Sequence, residues 1–169
     1  MPASNLDAAA ITGIVAYVRT MNGYDRTSVA VGDDGRGRMI VEGKGACLTC
    51  HRIGGKGSRV APDLSEIGAL RGPGSLERTL TNPSSQMMPI NRPVRAVTRD
   101  GKTITGRRLN EDTYTVQLMT DQEQLVSLTK SELRSYSVLT TSTMPSYAAT
   151  LTAGELGDVL AYLLTLKGR

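Results

Sequence analysis

The sequence predicts a mainly α chain carrying an inserted antiparallel β module, and three observations lead there. Apolar residues recur at helical spacing near both ends, over residues 6 to 21 and 151 to 166. From Pro93 to Leu139 the apolar period drops to two, and turn residues punctuate it. Ahead of that stretch stands Cys47-Leu48-Thr49-Cys50-His51, which holds both cysteines and the single histidine of the 169 residues.

Chemically, the last of these is a c-type haem attachment site. Two thiols at this spacing add to the haem vinyl groups as thioethers, and the next side chain, His51, ligates iron. Rival uses lack parts. A structural zinc site wants four Cys or His ligands, and only three exist here, two of them adjacent. A redox C-x-x-C follows a strand and opens a helix, whereas Gly43-Lys44-Gly45 and Gly54-Gly55 flank this one. A disulfide across two residues would close almost no loop.

Composition agrees. The chain has no Trp, no Phe and six Tyr, so the usual large core-fillers are scarce. One covalent haem c would supply the missing flat apolar bulk, unless Leu, Ile, Val and Met suffice alone. The formal charge of +4 is spread along the chain without a basic run, which argues against nucleic acid as a partner. No stretch of eighteen apolar residues exists to span a membrane, and residues 1 to 30 do not show the basic region, long apolar stretch and small-residue cleavage site of a leader. Covalent haem attachment is nevertheless expected outside the bacterial cytoplasm. The expected location is therefore periplasmic or otherwise extracytoplasmic, with the leader absent from this chain.

In order, residues 6 to 21 form a helix with Ile11, Ile14, Val15 and Val18 on one face, capped by Asn5 or Asp7. After a loop from Asn22 to Asp34, Gly37 to Gly43 is a short helix running into the attachment site. Residues 75 to 81 form a helix that stops at Asn82-Pro83, where proline biases its predecessor out of the helical region. Val94 to Arg99, the turn Asp100-Gly101, and Lys102 to Gly106 form a hairpin. Strands follow over Thr113 to Met119, Gln124 to Leu128 and Arg134 to Leu139, the last after a one-turn helix with a Thr129/Glu132 capping box. A second capping box, Thr152 with Glu155, opens the closing helix, whose Leu156, Val159, Leu160 and Leu163 share a face.

Gly37-x-x-x-Val41 followed by Cys47-x-x-Cys50-His51 resembles the opening of class I cytochromes c, where a glycine lets the first helix cross the last one closely. Val41 stands where that family usually has Phe. Ala61-Pro62-Asp63-Leu64 resembles the family's Gly-Pro-x-Leu segment, with Ala61 in place of its glycine. The resemblance implies that the Pro62 carbonyl accepts from His51 Nδ1, orienting the ring, and that Leu64 packs on the haem. It extends from residue 31 to 169, to the variant of that fold with a small β module inserted before the methionine ligand loop, found mostly in large bacterial haem proteins. It thus implies a mainly α cytochrome c fold with an inserted antiparallel β module: a cytochrome c domain formed by 31–91 and 140–169, and the module over 92–139. Residues 1–24 are an extra N-terminal helix.

That extra helix has a twin. Residues Leu6 to Met21 align without a gap on Leu151 to Leu166, matching Ile11 with Leu156, Ile14 with Val159, and Ala16-Tyr17 with Ala161-Tyr162. Met1-Pro2 also parallels Met144-Pro145, although the first proline-to-leucine gap is two residues shorter. One reading is the remnant of a preceding haem domain, which leaves residues 1–21 free to drive self-association; the other is that two amphipathic helices look alike.

With a single histidine in the chain, the sixth position on the iron falls to methionine, lysine, water or no ligand. Met88-Pro89 and Met144-Pro145 are the two methionine–proline pairs, and the resemblance favours Met144, which precedes the closing helix. His51 and Met144 on iron leave no free position for substrate and suit one-electron transfer, so the chain is expected to be no enzyme in itself. It would serve as a redox subunit or domain of a periplasmic dehydrogenase or respiratory chain, with an unidentified redox partner protein. Without Met144 on the iron, a five-coordinate haem would permit peroxide reduction or gas sensing. Lys44, Arg52, Lys56 and Arg59 around the motif either steer an acidic partner or are simply solvated.

Overall fold

The computed structural model describes residues 5–23, 32–85 and 87–168, with residues 18–23 given by their backbone alone. The Met1-Pro2 pair and most of the Asn22 to Asp34 loop lie outside the described residues.

Helix α1 (Ala8–Gly23) starts where Asp7 accepts a hydrogen bond from the Ala10 amide at 2.7 Å, satisfying an amide that the first turn leaves without a partner. Helix α2 (Asp34–Glu42) is capped in the same way by Asp33 and ends at Gly43. The chain then makes a 3-10 turn, Cys47–Thr49, and a small hairpin of β1 (Arg52–Ile53) and β2 (Lys56–Gly57). Two short helices follow, α3 (Ile67–Leu70) and α4 (Pro73–Thr81). Pro73 begins α4 because its missing N–H costs nothing in a first turn, and Asn82, before Pro83, ends it.

The chain next enters β3 (Pro93–Thr98), β4 (Thr103–Glu111), β5 (Thr115–Thr120), β6 (Leu125–Thr129) and β7 (Leu133–Val138), an antiparallel sheet in the order β6-β5-β4-β3-β7. The hairpin over Asp100-Gly101 forms, with Gly101 at φ 88°, a conformation glycine adopts without steric cost. A last helix, α5 (Ala153–Thr165), opens with the Thr152/Glu155 capping box closed in both directions.

Two cores result. Val41 of α2, Leu76 and Leu80 of α4, and Leu151, Val159, Leu160 and Leu163 in and before α5 form the helical one. Val94, Val116 and Leu118, flanked by Ile104, Leu128 and Tyr136, form the core of the sheet. Helices α2 and α5 cross at Gly37, where a Cβ would run into the Asp158 carbonyl and stand 2.9 Å from the Tyr162 Cβ. Only glycine permits that approach, the close crossing expected for it. The contact is fastened by Asp158, a buried carboxylate that accepts from the Asp33 amide at 2.7 Å and from Arg36 Nε and Nη2 at 2.8 and 2.9 Å. Helix α1 stands apart, with Leu6, Ile11, Ile14, Val15 and Tyr17 exposed and no other element closely packed along it among the described residues.

The architecture corrects the expected fold class. The molecule is mixed α+β and not a mainly α cytochrome c fold: described helix accounts for only 36% of the chain, beside a five-stranded sheet. The physical reason lies between the two long helices, where glycines and prolines keep α2, α3 and α4 to nine, four and nine residues. Strand β4 meanwhile runs five residues past Gly106, where the hairpin was expected to stop. The Thr129/Glu132 capping box is also corrected. Thr129 precedes a 3-10 turn, Lys130–Glu132, but its side chain makes no capping hydrogen bond, because three residues give too short a turn for the reciprocal pair.

Candidate cofactor site

Ala46, in the left-handed region at φ 49°, swings the chain from α2 into the turn that begins at Cys47. The amides of Cys50 and His51 then both donate to the Cys47 carbonyl, at 3.2 and 2.9 Å. Cys47, Cys50 and His51 are thereby gathered within one turn. Both thiols are free; Cys47 is half-buried and Cys50 exposed. Burial pushes the Cys47 thiol up in pKa, against a weaker opposing contact with the Tyr147 hydroxyl 4.0 Å away. Tyr147 itself is pushed up to about 12, by burial first and then by Cys47, and its hydroxyl donates to the Gly45 carbonyl at 2.6 Å.

His51 is held by its far nitrogen. Nδ1 lies 2.7 Å from the Pro62 carbonyl oxygen, which can only accept, so Nδ1 carries the proton and Nε2 keeps its lone pair. Burial lowers the pKa of the ring, the Arg107 cation adds to that, and the bond to Pro62 opposes both. A neutral imidazole in a fixed tautomer is the form that binds a metal. Pro62 in turn rests on a loop laced to the motif: Ser58 N donates to the carbonyls of Leu48 and His51, Ala61 N to that of Cys50 at 2.8 Å, and Leu64 N to that of Arg52 at 2.8 Å. Gly57, at φ 95°, lies so near the His51 and Leu48 carbonyls that no side chain fits there.

Leu64, Met144, Cys47 and Tyr147 all border the helical core, each partly exposed. The loop bearing Met144 is pinned to the end of α4, with Tyr147 N donating to the Leu80 carbonyl at 2.8 Å, Ser146 Oγ to that of Thr81 at 2.6 Å, and Ser142 N to Ser84 Oγ at 3.0 Å. Met88, by contrast, is 52% exposed and lies outside that cluster. Lys44 is engaged in an ion pair with Glu155 at 2.7 Å, so its charge serves the α5 cap as well as the surface.

These residues fit a covalently held haem by the chemistry of their donors: two free thiols, an Nε2 lone pair from an oriented imidazole, and a thioether on the same apolar cluster. The cleft beside Cys47, lined by Ile40, Gly45, Leu80, Tyr147, Leu151 and Val159, is narrow. Fit therefore rests on the donor set and not on an enclosed void. No protein-family model matches the chain, and no curated protein matches it significantly.

Three side chains that matter here carry no mark in the sequence. Asp158 looks like one more polar position of an amphipathic helix. Arg107 and Glu123 come from the sheet and reach the motif's loop, Arg107 through the Val60 and Arg59 carbonyls at 3.1 and 2.9 Å, and Glu123 by accepting from the Arg59 amide at 3.2 Å. Arg107 lies 47 and 48 residues from those two carbonyls in the chain and Glu123 lies 64 from its amide, and no spacing rule joins them.

Proposed function

We propose that the chain is a one-electron carrier with a single covalent haem c, tethered by Cys47 and Cys50 and ligated by His51 and Met144. The observation that carries this is the 2.7 Å contact between His51 Nδ1 and the Pro62 carbonyl, which leaves Nε2 of the histidine in a C-x-x-C-H sequence free to ligate. When bound, the group supplies a redox centre whose potential thioether ligation raises. Cys47 and Cys50 hold it in place, and His51 keeps its proton on Nδ1 throughout. Met144 would supply the second protein ligand, which would leave no position for a substrate, so that the activity is transfer to and from a redox partner protein and not turnover. Attachment chemistry of this kind supports a periplasmic or other extracytoplasmic location. The exposed apolar residues of α1 support self-association through residues 1–21, which sedimentation over a concentration series tests.

Denaturation in acidic organic solvent tests the attachment: the pigment should stay with the protein, and its extraction into solvent would end the proposal. Cys47→Ala with Cys50→Ala should abolish stable holoprotein. Met144→Ala should remove the weak methionine-sulfur-to-iron absorption band of the oxidised protein, and Met88→Ala should keep it. The reverse pattern would move the ligand to Met88.

A further inference from the structure

The sheet's own core is complete without the helices, yet the sheet grips the motif's loop at one place. Arg107, on β4, donates from Nε to the Val60 carbonyl at 3.1 Å and from Nη2 to the Arg59 carbonyl at 2.9 Å. Its planar fork thus bridges two successive carbonyls, a geometry Lys does not reproduce. Glu123, in the turn between β5 and β6, takes the Arg59 amide at 3.2 Å. The loop so held runs directly into Pro62, whose carbonyl fixes His51, and its Ala61 amide is bonded to Cys50.

From this geometry we infer that Arg107 is a positioning residue of the sheet that sets the reduction potential of the site, by holding the Pro62 loop and by placing a permanent cation on the loop that holds His51. The inference rests on the proposed haem ligation and deepens it. The held carbonyl keeps the imidazole aimed, and the charge gives the effect its sign: a positive charge fixed in place by the fork favours the state with one electron more, because reduction lowers the net positive charge at the iron site. The electron comes from a one-electron donor, no proton is taken up at His51 and no bond is made or broken. Burial strengthens the charge effect, since Arg107 is half-buried and its own pKa is lowered by desolvation.

The test uses the holoprotein with Arg107→Gln and Arg107→Lys, read by potentiometric titration and by amide hydrogen exchange at Ala61. Arg107→Gln should lower the midpoint potential. Arg107→Lys, which keeps the charge and loses the fork, should fall between Arg107→Gln and wild type, and Ala61 should exchange faster in both. A potential unmoved in Arg107→Gln, or a fall in Arg107→Lys as large as in Arg107→Gln, overturns the inference. Should Arg107→Gln fail to fold, Arg107→Lys decides alone: a small fall with faster Ala61 exchange supports it, and an unchanged exchange rate overturns it. A wild-type chain without covalent haem overturns the functional proposal and this inference together, whereas wild-type haem with unmoved potentials overturns only this one.

Discussion

Helices α1 and α5 are written in nearly the same pattern and have opposite fates. At an offset of 145 residues Ala8 falls on Ala153, so both helices begin at equivalent positions, and each is capped at the same place, by Asp7 to Ala10 N and by Thr152 to Glu155 N. Yet Leu151, Val159 and Leu160 are 9%, 2% and 0% exposed, and their counterparts Leu6, Ile14 and Val15 are 47%, 49% and 40% exposed. The equal periodicity shows that an apolar stripe makes a helix amphipathic without deciding what covers it. What distinguishes α5 is its polar positions. It carries Glu155 and Asp158, which reach Lys44 and Arg36, where α1 has Ala10 and Gly13. On the partner side, Gly37 gives α5 a groove without a side chain in it.

The largest test of this contrast is a paired truncation. Leu160→Ala should cost about 2–5 kcal/mol, as for a fully buried leucine that leaves a cavity, while Val15→Ala should stay within about 0.5 kcal/mol. Urea midpoints measure both, and equal losses would mean that α1 is packed as α5 is. Next come the glycines. Gly37→Ala forces α2 off α5 and should cost about 1–3 kcal/mol by overpacking. Gly13→Ala meets nothing within 4 Å and should instead raise helix content, by about 0.5–1 kcal/mol of local stability. Circular dichroism separates the two, and a destabilising Gly13→Ala would reveal a neighbour on α1.

A gentler difference should appear with acid. In the folded chain Asp158 sits below its ordinary 3.8, chiefly through Arg36, and Glu155 below its ordinary 4.5, chiefly through Lys44. Depressed carboxylate pKa values give stability that is present above the unfolded values and is lost as pH falls through the folded ones. Melting temperature should therefore decline from about pH 4.5 downward, and Asp158→Asn should flatten the decline while lowering stability at pH 7. An undiminished slope in that variant would remove Asp158 as a source. The sheet contributes to the same window through Glu111, held near 2 by Lys130 and Arg108, so flattening will be partial. The smallest effect is expected from removing residues 1–23, which should leave the melting temperature and any haem absorption nearly unchanged. A large loss would place α1 in the core.

Much of the site was legible from the sequence because its parts are neighbours in the chain. Cys47, Cys50 and His51 fall in one turn by spacing alone, and the contact of His51 Nδ1 with the Pro62 carbonyl joins residues only eleven apart. The hairpin at Asp100-Gly101 and the Thr152/Glu155 cap were equally legible, since each is a contact between residues a few positions apart. The extent of β4 was not. Past Gly106 the strand carries Arg107, Arg108 and Asn110, and polar residues on a strand give no period to read.

What the sequence determined by itself, then, is local: the turn that gathers Cys47, Cys50 and His51, the caps, the hairpin at Asp100-Gly101, and the amphipathic stripes of α1 and α5. Those depend on backbone geometry and on contacts over a few residues, where side-chain type is enough. Tertiary structure alone decided that β7 joins β3 and not β6, that the molecule is mixed α+β, and that Val159 and Leu160 of α5 are buried while Ile14 and Val15 of α1 are exposed. It alone brought Arg107 to the Pro62 loop and Asp158 to Arg36. Each of these is a contact across tens of residues or more, fixed by which surfaces can approach closely and bury the most apolar area together, and no single segment contains that information.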